Sequence, residues 1–200
     1  MRILTDVFLK QSFDSSDYEH RNQLYAWELC DTRILRVAKP LRWFEHADPT
    51  GVVWSYLLME YLPGTTIEDY IHATPKPTQR DIEPLVSKIF DAVQHLQTVS
   101  RRKCTRPGPV SGANPCGFPW RNYGLPQQTH CLQDLQALVY RILDIGGEHG
   151  VPTLALSRPQ LVHGDLAARN IMILDDGSIA ILDWAALSYL PACIRGRCAL

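Results

Sequence analysis

The period of apolar and polar positions changes several times along the chain, and each change predicts an element. Val7-Phe8-Leu9 is a short β-type run closing at Lys10, and residues 12–17 then read as a polar turn. Ser16 and Glu19 have the spacing of a capping box, so a helix is expected from there to about Leu29. Leu35 to Phe44 and Val52 to Met59 are rich in β-branched, aromatic and aliphatic residues. They flank Asp48-Pro49-Thr50-Gly51, which predicts two antiparallel strands joined by a turn. Pro63-Gly64 ends the second strand.

Thr78 to Asp81 forms another capping-box start, after which Leu85, Ile89, Val93 and Leu96 share one face of a core-facing helix. Between Arg101 and Pro126 the helical period is lost amid prolines and glycines, the pattern of a long ordered loop. Leu132, Leu135, Leu138, Val139 and Ile142 restore the period until Gly146-Gly147 stops it. Leu161-Val162 leads into His163. Ile171 to Leu174, Asp175-Asp176-Gly177 and Ser178 to Leu182 then read as strand, tight turn and strand. The whole is an α+β chain without internal repeats: a few strands with one helix, a connection near residues 61–68, and a helical region ending in a hairpin.

Composition narrows the function classes. Two hundred residues, 46% apolar and 20% charged, suit a globular chain with one sizeable core or two small lobes. A net charge of −1 gives no global basic field, so neither nucleic acid nor a membrane surface is expected as a partner. Any phosphate binding must be local. Residues 1–10 are too short and polar for a signal-peptide core, and no apolar window is long enough to span a bilayer, so a cytoplasmic location is expected. The six cysteines show no Cys-x-x-Cys spacing and are expected to be free thiols.

The chemistry concentrates in His163-Gly164-Asp165-Leu166-Ala167-Ala168-Arg169-Asn170, followed thirteen residues later by Asp183-Trp184. A loop carrying Asp165 and Asn170, with a hairpin folding back, can bring Asp183 beside Asn170 and create an oxygen-rich site suited to Mg²⁺. Phosphoryl transfer needs such a site, because its transition state is chiefly a problem of positioning and charge. Asp165 is the candidate carboxylate to take the acceptor hydroxyl's proton.

This segment resembles the catalytic loop and metal motif of the protein-kinase-like superfamily, and most closely the aminoglycoside phosphotransferase and choline kinase branch. The branch is similar through His163-Gly164-Asp165 and Ile181-Leu182-Asp183-Trp184, whereas protein kinases normally carry arginine at position 164. Gly108-Pro109-Val110-Ser111-Gly112 and Gly117-Phe118-Pro119-Trp120 resemble the inter-helix insertion of fungal members. The resemblance runs over about residues 7 to 191 and implies a two-lobe fold. Residues 1–62 would be a partial, antiparallel-sheet N-lobe ending in the hinge, and 63–200 a mainly helical C-lobe. The glycine-rich loop with the first two strands would lie upstream of residue 1, and the closing helices beyond residue 200, as in a chain truncated at both ends.

The same resemblance implies ATP and Mg²⁺ as cofactors. It makes Asp165 the catalytic base, His163 the residue that orients the loop, and Asn170 and Asp183 the metal ligands. Met59 would be the gatekeeper, with backbone groups of Glu60 and Leu62 offered to adenine. Lys10 would pair with phosphates; its partner is Glu19, which the capping box also claims, or alternatively Glu28. The function implied is transfer of the γ-phosphate to a hydroxyl of a small molecule. The alternatives are a non-catalytic or truncated kinase-like domain and, below that, a protein tyrosine kinase suggested by Asp165 to Asn170. Simpler readings compete residue by residue. Asp165 and Asn170 could be turn-formers and Lys10 a solvated strand end, Arg101-Arg102-Lys103 is read as solvated, and Gly146-Gly147 as a helix stop.

Overall fold

The structure is a computed structural model that describes residues 1–13, 17–74, 78–99, 107–112, 131–145, 147 and 158–191. Strand β1 (Arg2–Leu4) turns at Thr5-Asp6 into β2 (Val7–Ser12), and helix α1 (Tyr18–Leu29) follows. Strands β3 (Pro40–Ala47) and β4 (Val53–Glu60) complete an antiparallel sheet of order β1-β2-β4-β3. The turn between β3 and β4 is held by Asp48, whose carboxylate accepts from the Thr50 and Val52 backbone and from the Trp54 indole.

The second part begins with β5 (Gly64–Thr66), α2 (Ile67–Ala73) and α3 (Gln79–Thr98). Thr66 caps α2 by accepting from the Asp69 N–H at 3.0 Å. The expected capping box opens α3, where the Asp81 carboxylate accepts from the Thr78 N–H at 2.9 Å. Short β6 (Gly108–Pro109), α4 (Leu132–Ile145) and β7 (Gln160–Val162) come next, then β8 (Ile171–Leu174), β9 (Ile179–Ile181) and β10 (Ser188–Leu190). They form two three-stranded sheets, β5-β8-β9 and β6-β10-β7.

The main core joins α1 and α3 to the hairpin and its exit, through Ala26, Leu35, Leu96, Leu161, Ile181 and Trp184. Trp184 alone, 1% exposed, removes roughly 150–250 Å² of mostly apolar surface from water, on the order of 4–6 kcal/mol at about 25 cal/mol per Å². A second cluster, Ala38, Leu57, Met59, Leu62, Leu174 and Ala180, seals the four-stranded sheet to the β8–β9 hairpin. Leu135 and Leu138 of α4 pack on Leu190.

Several expectations change. The sequence reading placed no strand before Val7, yet β1 pairs with β2; Lys10 does not close the run but sits mid-strand, opposite Leu57. Leu35 to Lys39 is not strand. It is a connection with Leu35, Val37 and Ala38 buried, which Arg36 ties to β9 by donating to the Ile179 carbonyl at 2.9 Å and accepting from Ile181 N–H at 3.3 Å. On α3, Ala92 and Leu96 are buried while Leu85, Ile89 and Val93 are only half-buried. Gly147 has φ 77°, in keeping with a helix stop after Ile145. Cys30 and Cys131 are free thiols. Ser16, the Arg101–Lys103 run, most of the 101–126 loop including Gly117 to Trp120, and the 192–200 tail lie outside the described residues. Among the described residues no helix is long and apolar enough to cross a membrane.

Candidate active site

Strand β2 presents Phe8 and Lys10, two positions apart and so on one face, to the space between the four-stranded sheet and the β8–β9 hairpin. In the first turn of α1, Glu19 meets Lys10 with Oε1 at 2.6 Å from Nζ, and Asp183 Oδ1 lies 3.1 Å from the same ammonium. Burial works against the Lys10 charge, but the two carboxylates outweigh it and hold the ammonium above its ordinary value. Glu28 lies on the exposed side of α1, so Glu19 is the lysine's partner.

Asp183 is the one non-glycine residue with positive φ among those described, at φ 62° and ψ 70°. A left-handed aspartate costs on the order of 1 kcal/mol or more and persists only where its neighbours fix it. The Leu182 N–H donates to the Asn170 carbonyl at 2.8 Å on one side of it, and the Trp184 indole donates to the Ile181 carbonyl at 3.0 Å on the other.

Strand β7 delivers His163 into the core, where its ring packs edge-on against Trp184 with centroids 4.9 Å apart. Its Nε2 faces the Leu182 carbonyl at 2.9 Å, which can only accept, so Nε2 carries the proton and Nδ1 is left to accept from the Asp165 N–H at 3.4 Å. That pair of bonds needs the neutral ring. Burial pushes the His163 pKa below its ordinary value, with the Leu182 carbonyl and nearby carboxylates pulling weakly back.

Gly164 follows at φ 84°, and a Cβ there would fall 2.4 Å from the Ala186 carbonyl oxygen. Backbone cannot yield as a side chain can, so the arginine of protein kinases has no room here, which removes support from the tyrosine-kinase reading. Asp165 is then fixed from two sides. Arg169 Nη2 donates to Oδ2 at 2.9 Å and to Oδ1 at 3.1 Å, and Asn170 Nδ2 donates to Oδ2 at 3.2 Å and to the Asp165 carbonyl at 2.9 Å.

The cavity between these elements measures about 440 Å³. Lys10, Glu19, Asn170 and Asp183 line its polar end; Met59, Glu60 and Leu62 line the other, with Phe8, Ala38, Met172 and Ile181 as apolar walls. The Glu60 side chain is committed elsewhere, to Arg36 at 3.0 Å and the Lys39 N–H at 3.1 Å, and its own N–H donates to the Lys39 carbonyl. The Leu62 backbone has no hydrogen bond to any described residue, although Leu62 is buried against the cavity. A backbone donor left without a protein partner beside a cavity can meet a ligand acceptor.

No group of three or more His, Cys, Asp or Glu that could hold a metal occurs among the described residues. The donor set nevertheless fits Mg²⁺, which takes one or two protein oxygens and completes its shell with water and phosphate. Because Asn170 Nδ2 is turned to Asp165, its Oδ1 has no partner among the described residues, nor has the second oxygen of Asp183.

Seven predicted residues therefore share one cavity; Asp165 lies outside its lining, partly exposed and joined to it through Asn170, while His163 is buried behind it and reaches it through Leu182. Sequence reasoning missed four others. Gln23 lines the cavity and donates to the Ala38 carbonyl at 2.7 Å; Thr66 lines it too; Arg169 clamps Asp165; Asn22 is fully buried behind Asp183. Arg169 could have been found as the i+4 partner of Asp165, whereas Asn22 and Gln23 carry no signal a motif would show.

The profile of the phosphotransferase enzyme family matches residues 3–193. The chain belongs to this family. A search of curated proteins finds no match. Among solved structures, the aminoglycoside phosphotransferase APH(4)-Ia superposes with TM-score 0.57 at 14% identity, covering 92% of this chain and 60% of that one. A thermostable mutant of the same enzyme, in ternary complex with AMP-PNP and hygromycin B, gives TM-score 0.55 at 14% identity and the same coverage. The chain thus has the kinase-like α+β fold of these family members and spans about three-fifths of their length.

Proposed function

We propose that this family member is an ATP- and Mg²⁺-dependent phosphotransferase that moves the γ-phosphoryl group to a hydroxyl of a small molecule. The observation that carries the reading is the single cavity in which Lys10 bridges Glu19 and Asp183, beside Asn170, at one end of an apolar slot. A bound AMP-PNP and hygromycin B in a protein of the same fold support it. In this reading residues 1–62 form the nucleotide lobe and 63–200 the acceptor lobe.

Each residue has one task. The slot between Phe8, Ala38, Met172 and Ile181 takes the adenine ring, with Met59 at its back. The Leu62 N–H and the Glu60 carbonyl face the base's polar edge, and Lys10, oriented by Glu19, draws the phosphates to the polar end. Asn170 and Asp183 would hold Mg²⁺, which when bound would supply positive charge to the phosphate oxygens. Asp165 receives the acceptor hydroxyl's proton as the new P–O bond forms and the bond to ADP breaks. Its Oδ2 already accepts two hydrogen bonds and Oδ1 one, so Oδ1 is the oxygen with room for the hydroxyl. His163 keeps the loop in place from behind.

The test is calorimetric titration with Mg²⁺ and ATP, followed by turnover with candidate acceptors. Saturable binding and turnover are expected, and Asp165→Asn lowers the rate by about 10²- to 10⁴-fold with nucleotide binding retained. No binding would favour the non-catalytic alternative, and undiminished turnover in Asp165→Asn would remove Asp165 as the base.

A further inference from the structure

Helix α1 places Asn22 one turn after Glu19, and the side chain is completely buried. Its Nδ2 donates to the Trp184 and Ala185 carbonyls, both at 3.0 Å, and its Oδ1 accepts from the Ser111 N–H at 3.0 Å. Two carbonyls can only accept and an N–H can only donate, so these three partners fix which end of the amide is which. The two carbonyls belong to the residues immediately after Asp183, the left-handed turn whose conformation its surroundings must impose.

A closed ring results. Glu19 holds Lys10, Lys10 meets Asp183, and the chain leaving Asp183 returns to α1 through Asn22. Because Glu19 and Asn22 ride on one helix, their separation is set by helix geometry, and so is the approach of Asp183 to Lys10. Ser111 adds a third party: β6 pairs with β10, Val110 N–H donates to the Leu187 carbonyl at 3.1 Å, and the next residue reaches Asn22.

We propose that Asn22 is a positioning residue for Asp183: its buried amide grips the backbone just after the turn and holds the carboxylate where Lys10 and Mg²⁺ can both use it. Its catalytic consequence rests on the phosphotransferase reading; its grip on the turn does not. Asn22→Leu removes all three bonds at similar size. Asn22→Asp keeps the acceptor for Ser111 and loses both donors, which isolates the hold on residues 184 and 185. Outer partners that orient a metal ligand affect metal use about 10- to 100-fold.

Two readouts test this. The first is the Trp184 indole N–H resonance, assigned with Trp184→Phe; its bond to the Ile181 carbonyl spans Asp183, so it reports the turn whether or not the chain turns over nucleotide. Both Asn22 variants are expected to shift it. The second is the Mg²⁺ concentration for half-maximal turnover at saturating ATP, expected to rise about tenfold or more in both variants while the KM for ATP at saturating Mg²⁺ stays within about threefold. Leu135→Ala, which loosens the separate cluster under α4, is the stability control and should move neither. An unchanged indole resonance in both Asn22 variants overturns the inference, as does a Mg²⁺ requirement that rises equally in Leu135→Ala. If the unaltered protein binds no Mg²⁺ and ATP, the phosphotransferase reading fails, and a shifted indole still supports Asn22's hold on the turn.

Discussion

One added methyl group at Gly164 measures how tightly the His163–Asp165 loop is held, because two other glycines supply its controls. Gly51 has φ 85°, almost the 84° of Gly164, but a Cβ at Gly51 would meet nothing within 4 Å. Gly64 has no positive φ, yet its Cβ would lie 2.4 Å from the Ile173 carbonyl oxygen and 2.8 Å from the Leu174 Cα. Gly164 combines both conditions, with the Ala186 oxygen at 2.4 Å and the Ala186 Cβ at 2.9 Å. The left-handed conformation costs an L-residue roughly 1–2 kcal/mol, offset by about 0.4–1 kcal/mol from a stiffer unfolded chain, so Gly51→Ala should cost roughly 0–1.6 kcal/mol. Forcing a methyl against backbone costs about 1–3 kcal/mol, the expectation for Gly64→Ala. Gly164→Ala should therefore lose roughly 2–4 kcal/mol, close to the sum of the other two. Urea unfolding at constant m reads all three values. If Gly164→Ala cost no more than Gly51→Ala, the loop would have space at Ala186, and the steric reason for glycine between His163 and Asp165 would be wrong.

The remaining predictions concern charge. Lys10→Ala removes a charge-assisted contact worth about 1.5–3 kcal/mol, so ATP affinity measured by titration should fall about 10- to 100-fold, and an unchanged affinity would place the phosphates elsewhere. Since the Lys10 pKa is raised, its ion pairs contribute fully below the ordinary value of 10.5 and are lost only as pH climbs through the folded-state value. His163 has the opposite sense. Its pKa is depressed from 6.5, so the unfolded chain takes up a proton that the folded chain refuses, and the contribution present above 6.5 is lost as pH falls through the folded-state value. His163→Gln should flatten the decline in urea midpoint on the acid side of 6.5, and an imidazole resonance titrating at 6.5 or above would contradict the buried neutral ring.

The catalytic loop and hairpin were legible because their order is local. His163, Asp165, Asn170 and Asp183 lie within twenty-one residues, and the Asp175–Gly177 turn announces the fold-back that joins them. The Lys10–Glu19 pair could be reached by order along the chain, with Glu28 left as an alternative that the 2.6 Å contact removes. Strand β1 escaped notice because three residues at a sheet edge make no period. Leu35 to Ala38 looked like strand because burial from both sides gives an apolar run whatever the backbone does, and here the backbone only bridges to Ala180. Helix α1 hid its inner face for the reverse reason. Asn22 and Gln23 stand in the core beside Ala26 and Leu29, so polar side chains occupy positions that an apolar pattern would reserve for leucine. The left-handed turn at Asp183 is not announced by the sequence, since aspartate tolerates that conformation without requiring it.

The crowding of Glu19, Asn22 and Gln23 onto one side of α1 makes the helix behave like a cam, engaging three separate followers at once. A single inserted or deleted residue would swing every later position by about 100° and disengage Asn22 and Gln23 together while leaving Glu19 in place. Substitutions on the outward side can drift freely, but the count of residues from Glu19 to Gln23 is locked, and any length variation in this part of the chain must be taken up in the segments that flank the helix.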